Sequence, residues 1–386
     1  MHSKNPFIQG QNNLKFLVKA KSSREYNEYL FNQININNKK TIFFLNIFSP
    51  LIYIVNVIGT FFFLVFKLII SFCVFKWSIC KNEYKDFNEL YLFFINHFPD
   101  RCKAAGVYDK SKYWIVSPAI DSLKYNLEGK IIVDYRNYLT KLDSFRIFFS
   151  SILFLIEYII KVRNICLIHK IWDFYEVSYS LCRIGKNSVF YFSNQSDKFA
   201  LLFDQIESKG KILYQHGIVA NWGRLPYRLN NITEFYSMSN QTWQDAYKNL
   251  LSNVPRLVIM QPTITLTIIP KSSLNVLIIA EIDYIKIEKV IIEELSKDKS
   301  ITVYLKKHPA LINDTAYKEL KEKYGFNYIT NKIFPQVDYV ISYYSTLAYE
   351  YMAYEIPVYM YMSKEEFNKD EMIKQLRGVR QNINRK

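Results

Sequence analysis

Apolar and polar positions alternate most clearly in the last third of the chain, where they predict strands and helices in turn. Residues 274–280 are apolar almost throughout, which predicts a buried strand, and residues 284–298 place Val290 and Ile291 on one face of an amphipathic helix. Residues 301–306 then alternate as a second strand. The same succession continues to a strand at 357–361 and predicts a parallel sheet covered by helices.

A similar succession begins near residue 113 and predicts another sheet of the same kind. Its predicted strands are YWIVSPA, SVFYFSN, KILYQHG and ITEFYSMS. Two prolines flank a short extended piece at 261–271, which predicts a linker. We therefore expect an α/β fold with two Rossmann-like domains facing a cleft, the N-terminal one at 82–262 and the C-terminal one at 271–386.

An uninterrupted apolar block precedes both predicted domains. Residues 41–66 carry no charge and exceed the ~20 residues that a membrane-spanning helix needs. Pro50 interrupts the block, and lysines on both sides give no clear orientation. After a polar segment at 1–40, we expect 41–81 to be an apolar, membrane-associating helical segment that is re-entrant or lies in the membrane plane. A buried pair of core helices is the alternative.

A second apolar stretch, residues 145–162, has a thin polar stripe. Arg146, Ser150, Glu157 and Lys161 share one side of the predicted helix. A wide apolar face with a thin polar stripe is typical of a helix at a membrane interface. It is equally typical of a core helix, so the pattern leaves both open.

Charge and motifs narrow the classes of function. The 386 residues include 50 Lys+Arg against 35 Asp+Glu, a balance that suits nucleic acid, anionic lipid or a negatively charged small substrate. No nucleic-acid signature is present, so we expect no nucleic-acid partner. The five cysteines have no metal-ligand spacing and indicate reduced thiols. GxGxxG, GxxxxGK[ST], HExxH and DxD motifs are all missing, and we expect neither a cofactor nor a metal.

Three polar motifs follow predicted strands, at the end where open parallel sheets bind ligands. The first is 215–217, Gln-His-Gly, and the second is 306–309, Lys-Lys-His-Pro. The third is the pair Ser345 and Thr346 at the start of a predicted helix. Each motif alone is weak, but together they predict a ligand site along these edges.

The Ser345–Thr346 pair is a candidate phosphate site. Two hydroxyls there would join the backbone N–H groups of a helix N-terminus. Simple helix capping is the structural alternative. Glu350, four residues after Thr346, lies on the same helical face and too late to close a capping box. Its carboxylate is therefore a candidate ligand for the hydroxyls of a ribose.

The two histidines are candidates for proton transfer. His308 could donate to an oxyanion or protonate a leaving phosphate, with Pro309 fixing the turn and Lys307 adding charge. Only one of the two neighbouring lysines can face the cleft, because side chains alternate along a strand. His216 could take a proton from an acceptor hydroxyl, with Gly217 allowing a close backbone approach. For both histidines, an ordinary satisfied loop residue is the alternative.

The motifs YQHG, LKKHP and YYSTLAYEYMAYEIPVYMY resemble those of bacterial GT-B glycosyltransferases of surface-polysaccharide biosynthesis. The resemblance covers roughly residues 211–362. It extends to the sialyltransferase-like and capsule-synthesis groups and to the CDP-glycerol transferases. By this resemblance the C-terminal domain binds the donor nucleotide through Lys307, His308, Pro309, Ser345, Thr346 and Glu350. The N-terminal domain would take the acceptor, with His216 as base and Gln215 and Gly217 beside it.

The resemblance implies a metal-independent glycosyltransferase with His216 and His308 as catalytic residues. It would move a sugar from a nucleotide donor, CMP-linked by preference, to a lipid-linked or surface glycan. A departure at Gln215–His216, where sialyltransferase-like members carry an acidic pair, leaves the base and the donor open. The alternatives are a CDP-polyol phosphotransferase and a non-catalytic polysaccharide assembly protein. We expect a peripheral or monotopic protein at the cytoplasmic face of the bacterial inner membrane.

Overall fold

The structure is a computed structural model that describes part of the chain. The described residues are 58–59, 61–75, 87–94, 98–106, 113–117, 130–158, 171–195, 198–215, 228–240, 242, 244, 250–270, 274–281, 284–307, 315–329, 333–343, 345–361 and 366–384. The expectations for 1–40, and for the parts of the 41–81 segment at 41–57, 60 and 76–81, therefore lie outside the described residues. Among the described helices, none combines the length and the apolar character that crossing a bilayer requires.

The first sheet contains seven parallel strands in the order β3-β2-β1-β4-β5-β6-β7. The strands are β1 (Glu89–Phe93), β2 (Tyr113–Val116), β3 (Ile131–Ile132), β4 (Val189–Phe192), β5 (Gly210–Tyr214), β6 (Glu234–Ser237) and β7 (Arg256–Ile259). The helices of this region are α1 (61–74), α2 (Phe98–Ala104), α3 (Lys141–Tyr158), α4 (Ile171–Ile184) and α5 (Lys198–Gln205), with a 3-10 turn at Tyr135–Tyr138.

The faces of the first sheet are buried against different helices. One face packs on α4 and α5 through residues such as Trp172 and Phe203. The opposite face packs on α2 through Phe98 and Cys102. Because both faces are covered, strands such as β1 are apolar in consecutive positions and do not alternate with polar residues.

Aromatic rings form a ladder across the α2 face of the first sheet. In spatial order the rings belong to Trp114, Tyr91, Tyr191, Tyr214 and Tyr236, one on each of β2, β1, β4, β5 and β6. Successive ring centroids lie 5.0, 4.4, 6.4 and 4.6 Å apart. Stacked rings at these separations stabilise strand pairs beyond the area that they bury, so this aromatic ladder helps to fix the register.

The second sheet contains five parallel strands in the order β10-β9-β8-β11-β12. The strands are β8 (Leu274–Ile279), β9 (Ile301–Lys306), β10 (Asn327–Ile329), β11 (Tyr339–Tyr343) and β12 (Val358–Tyr361). The helices are α6 (Ile285–Leu295), α7 (Thr315–Tyr324), α8 (Thr346–Met352) and α9 (Lys369–Asn384). The two parallel sheets with their helices confirm the α/β class predicted from the sequence.

The second sheet is also covered on both faces. Helices α6, α7 and α9 pack on one face, and α8 with the linker residues Ile264, Leu266 and Ile269 packs on the other. The predicted apolar face of α6 was wrong at Val290, which is 40% exposed. Ile292 is buried in its place, because positions 288, 291, 292 and 295 form the helical stripe that faces the sheet.

The linker is held mainly by the second sheet. Met260 still donates its backbone N–H to Ser237 of β6, at 2.8 Å. Beyond it, Thr267 forms a bridge with Pro335, and its backbone N–H donates to the carbonyl of Phe334 at 2.7 Å. The chain therefore passes from one packed unit to the other within a few residues after Met260.

Candidate functional site

Both sheets change winding direction next to their first strand. In the first sheet this switch point lies between β1 and β4, and in the second it lies between β8 and β11. Ligands of doubly wound sheets bind outside the carboxyl ends of the strands at such points. The predicted motifs at Lys306–Lys307 and at Ser345 follow β9 and β11, which flank β8 on its two sides. Two strand spacings, about 10 Å, separate them at this edge.

Ser345 caps helix α8. Its backbone is extended, with φ −124° and ψ 142°, and its Oγ accepts a hydrogen bond from the backbone N–H of Leu347 at 3.2 Å. Thr346 is the first helical residue, and both side chains are half-buried. The structure therefore shows the capping role that the sequence left as an alternative, at the edge where a phosphate site is expected.

The neighbouring lysines at the end of β9 point to opposite faces of the sheet. Lys306 is buried, and its Nζ donates to the carbonyl of Ile333 at 2.9 Å and lies 4.4 Å from the ring centroid of Phe334. Burial lowers the pKa of the Lys306 ammonium to about 8. Lys307 is half-buried, and its Nζ lies 5.2 Å from the ring centroid of Tyr328.

Glu350 is buried and its carboxylate is occupied. Thr263 of the linker donates its backbone N–H to Oε2 and its hydroxyl to Oε1, both at 2.6 Å. Arg101 of α2 donates Nη1 to Oε1 at 3.1 Å, and both partners of this ion pair are less than 10% exposed. The premise of a free carboxylate was therefore wrong, because three donors from α2 and the linker hold it. Ribose binding by Glu350 stays a prediction.

A carboxylate accepts a hydrogen bond from the backbone just after β8. Glu288 of α6 is fully buried, and its Oε1 accepts the backbone N–H of Glu281 at 2.8 Å. The hydroxyl of Tyr317 donates to the other oxygen, Oε2. In many doubly wound folds the N–H groups of this turn bind a phosphate. Here Glu288 takes one of them, so the phosphate site is expected after β11.

Two tyrosines stack at the second switch point. Tyr284 lies just before α6 and Tyr343 ends β11, and their ring centroids are 4.1 Å apart with an interplanar angle of 26°. Both side chains are half-buried. The sequence does not single out this pair, because the chain has 31 tyrosines and nothing local distinguishes these two.

Gln215 follows β5 and is fully buried. Its Oε1 accepts hydrogen bonds from the hydroxyl of Ser237 and from the backbone N–H of Met238, both at 2.9 Å. These contacts tie the end of β5 to the end of β6. The side chain therefore shapes the edge of the first sheet, and its oxygen faces β6.

The comparisons with known proteins concern the fold. No protein-family model and no curated sequence matches the chain. Similar solved structures include the wall teichoic acid polymerase TagF in a structure with CDPG, at 10% identity and a TM-score of 0.40 over 80% of this chain and 78% of that one. They also include UDP-N-acetylglucosamine 2-epimerase from Rickettsia bellii, at 10% identity and a TM-score of 0.35 over 70% and 78%. Neither assigns a function to this chain.

The predicted site residues separate into a described and an undescribed set. Lys307, Ser345, Thr346 and Glu350 lie on or beside the carboxyl edge of the second sheet. Gln215 lies at the carboxyl end of β5 in the first sheet. His216, Gly217, His308 and Pro309 lie outside the described residues. Their positions in the chain directly follow Gln215 and Lys307, at the carboxyl ends of β5 and β9.

Proposed function

We propose that the protein is a metal-independent GT-B glycosyltransferase that uses a nucleotide-linked sugar, CMP-linked by preference. The observation that carries the proposal is the strand order of the two parallel sheets on one chain. In each sheet the switch point lies between the strand that comes first along the chain and the strand that comes fourth. The candidate motifs follow strands of these sheets at the carboxyl ends, where ligands of such folds bind.

The second sheet would bind the donor. Ser345 and Thr346 after β11 would contact a phosphate oxygen through their hydroxyls and backbone N–H groups. Lys307, His308 and Pro309 after β9 would form the other side of the site. Fixed donors aimed at a developing negative charge lower the barrier of a transfer reaction without a metal ion.

The first sheet would hold the acceptor, with Gln215 and Gly217 shaping the edge around His216. An acceptor hydroxyl oxygen would attack the anomeric carbon while His216 takes its proton. The bond between that carbon and the phosphate oxygen would break, and CMP would leave with the electron pair. His308 would stabilise or protonate the departing phosphate.

Glu350 would have to give up its present hydrogen-bond donors before its carboxylate could bind a ribose. Its oxygens are held by Arg101 and Thr263. A ribose diol would therefore replace a buried charged hydrogen bond, which costs more than displacing water. We propose that donor binding releases Arg101 from Glu350, so that nucleotide affinity depends on how the two sheets are joined.

The proposed acceptor is a glycan on a lipid carrier or at the cell surface. Such an acceptor fits a protein at the cytoplasmic face of the bacterial inner membrane, attached peripherally or monotopically. The strongly basic balance of the chain supports an anionic donor and an anionic membrane surface alike.

Calorimetric titration of the full chain with CMP, CDP, UDP and GDP tests the donor half of the proposal. Release of CMP from CMP-sugars in the presence of lipid-linked acceptors tests the reaction.

We expect His308→Ala to lower kcat by about 10²–10³-fold. His216→Ala should lower kcat with little change in nucleotide Kd.

His169→Ala is the matched control, because His169 lies outside the three motifs and should retain wild-type kinetics. Absence of binding to all four nucleotides would overturn the proposal and favour a non-catalytic assembly protein. Incorporation of a polyol phosphate from a CDP-linked donor, without sugar transfer, would replace it with the phosphotransferase alternative.

A further inference from the structure

Exposed apolar side chains concentrate on two neighbouring helices. More than half of the large apolar side chains that are exposed in the described residues lie at 58–74 and on α3. Before and on α1 they are Ile58, Phe61, Phe62, Phe66, Ile69, Ile70 and Val74, and on α3 they are Leu142, Phe145, Phe149, Leu153 and Ile156. Soluble surfaces seldom gather so many apolar side chains in one place, so this apolar face needs a partner.

The two helices lie side by side and share a core. The Phe72 ring of α1 is 5.6 Å from the Phe145 ring of α3. The inner side of α1 buries Leu64 in the cluster that also holds Ile147 of α3. The inner side of each helix is buried in the core, so the two helices are held in place relative to each other. Their outer sides therefore form one continuous apolar face.

Helix α3 differs from an ordinary surface helix, because polar side chains are buried on its inner side next to the core residue Ile147. Its buried stripe includes Asp143, Ser144, Ser150 and Ser151, all at most 1% exposed. The serine hydroxyls are satisfied within the helix by the carbonyls three or four residues earlier. Its outer stripe contains leucine, isoleucine and phenylalanine. A helix in water normally places apolar side chains inward, so the outer medium expected for α3 is apolar.

The charges around the apolar face indicate which apolar medium it meets. Arg146 is about half exposed, and Lys141 lies at the start of α3 with its Nζ 4.5 Å from the Phe72 ring centroid. The acidic neighbour Asp143 is fully buried, where Arg183 and Thr140 hold one of its oxygens and Arg146 reaches the other at 3.4 Å. Among the charged side chains at 141–153 of α3, the two that reach the surface, Lys141 and Arg146, are thus cationic. An apolar stripe with cations at its rim is complementary to anionic lipid.

We infer that α1 and α3 together form a docking face for a bilayer that contains anionic lipid. Both helices would lie in the plane of the interface, with their outer stripes in the acyl boundary and Lys141 and Arg146 among the headgroups. This inference concerns attachment alone and holds whichever reaction the two sheets perform.

Co-sedimentation of the full chain with vesicles tests the inference. The wild type should bind vesicles of phosphatidylcholine with phosphatidylglycerol more tightly than pure phosphatidylcholine, with the difference reduced by salt. Phe149→Ser with Leu153→Ser should weaken binding to both at least about tenfold, because two large apolar side chains no longer leave water. The matched control is Val254→Ser with Ile268→Ser, two exposed apolar positions outside the face, which should bind as the wild type does.

Hydrogen exchange of the unmodified chain provides a second measurement that needs no variant. Peptides covering 61–74 and 141–158 should gain protection when the anionic vesicles are added. Wild-type vesicle binding by the Phe149→Ser, Leu153→Ser variant would overturn the inference, as would unchanged exchange in both peptides. A wild-type dimer that this variant converts to a monomer, without vesicle binding by either, would assign the face to a second copy of the chain instead.

Discussion

At the residue scale, the two lysines at the end of β9 show how a strand separates neighbouring side chains. Lys306 is buried on the face that carries α8, whereas Lys307 lies half-buried beside Tyr328. The sequence predicts that only one of the pair can face a cleft, but it does not give the cost of burying the other. That cost is set by Ile333 and Phe334, which a distant part of the chain brings to the Lys306 ammonium.

Burial of Lys306 should make stability depend on pH. The folded-state pKa of about 8 lies below the ordinary 10.5, so the unfolded chain binds more protons between these values. Lys306 therefore lowers the free energy of unfolding below about pH 8, and this penalty is relieved as the pH rises from about 8 to about 10.5. The free energies of unfolding of the wild type and of Lys306→Met can be measured with urea across this pH range. We expect that of the wild type to rise relative to that of the variant by up to about 1.4 kcal/mol per pH unit.

Lys211 offers an independent case of the same effect. It is buried at the start of β5, where burial lowers its pKa to about 8. Lys211→Met should therefore show the same direction of pH dependence as Lys306→Met. If the free energy of unfolding has the same pH dependence in the wild type and in both variants, neither ammonium is desolvated in solution.

Substitutions of Ser345 can separate capping from phosphate binding. Ser345→Ala should lower the free energy of unfolding by about 1 kcal/mol, because Leu347 loses its cap. Ser345→Asp should keep the cap, since aspartate also accepts the N–H of the first turn. Its charge should nevertheless weaken CMP binding at least about tenfold in calorimetry if a phosphate lies there. Wild-type affinity in the aspartate variant, with the expected loss of stability in the alanine variant, would leave only the cap.

At the scale of elements, most strands with buried apolar runs were predicted, whereas β1, whose run is also buried, and the short or exposed strands were not. Strands β2, β4, β6, β8, β9, β11 and β12 fall within segments that the sequence predicted as strands, and β5 begins one residue before its predicted segment. β3 consists of two exposed residues at a sheet edge, and β10 and β7 contain no fully buried position. These strands exist because a neighbouring strand offers hydrogen bonds, and a local pattern does not contain that information.

Two glycines, one just after a helix and one within a helix, should respond to alanine with opposite changes in stability. Gly325 follows α7 with φ +71°, a conformation that costs other residues about 1 kcal/mol or more. Gly378 lies exposed within α9, and the space that a Cβ would occupy there has no atom within 4 Å. Thermal unfolding should show that Gly325→Ala destabilises the protein and that Gly378→Ala stabilises it by roughly 0.5–1 kcal/mol. Equal effects of both substitutions would contradict the assigned helix end.

At the scale of the whole molecule, one buried ion pair joins the units built on the two sheets. Arg101 and Glu350 are 249 positions apart in the chain, and each lies on a helix whose local pattern gives no reason to pair them. Sequence reasoning could therefore predict that Glu350 is a special carboxylate without predicting its partner. Thr263 adds two more donors from the linker, so the contact fixes three parts of the chain at one carboxylate.

A double-mutant cycle can measure this contact. Arg101→Ala or Glu350→Ala alone leaves a buried charged partner and should cost about 3–5 kcal/mol in urea unfolding. The double variant should cost less than the sum, with a coupling energy of about 1–3 kcal/mol.

The exposed pair Lys186–Glu207 is the matched control for that cycle. Its N–O distance is 3.9 Å and both side chains are 69% exposed, so its coupling should lie near zero. Additive costs at Arg101 and Glu350 would show that the two side chains do not interact in solution.

The aromatic ladder gives the first sheet an optical signature of its own. Trp114 stacks on Tyr91, so light absorbed by the tyrosines of the ladder passes to the indole and leaves as tryptophan emission. All five tryptophans of the chain precede residue 244, and the second sheet is built from residues that contain none. Emission excited selectively in tryptophan therefore carries no signal from the second sheet and includes that of Trp114 and Trp172, which pack on the first, while far-ultraviolet dichroism reports on both sheets. Comparing the two signals during denaturation distinguishes an all-or-none molecule from one that unfolds sheet by sheet.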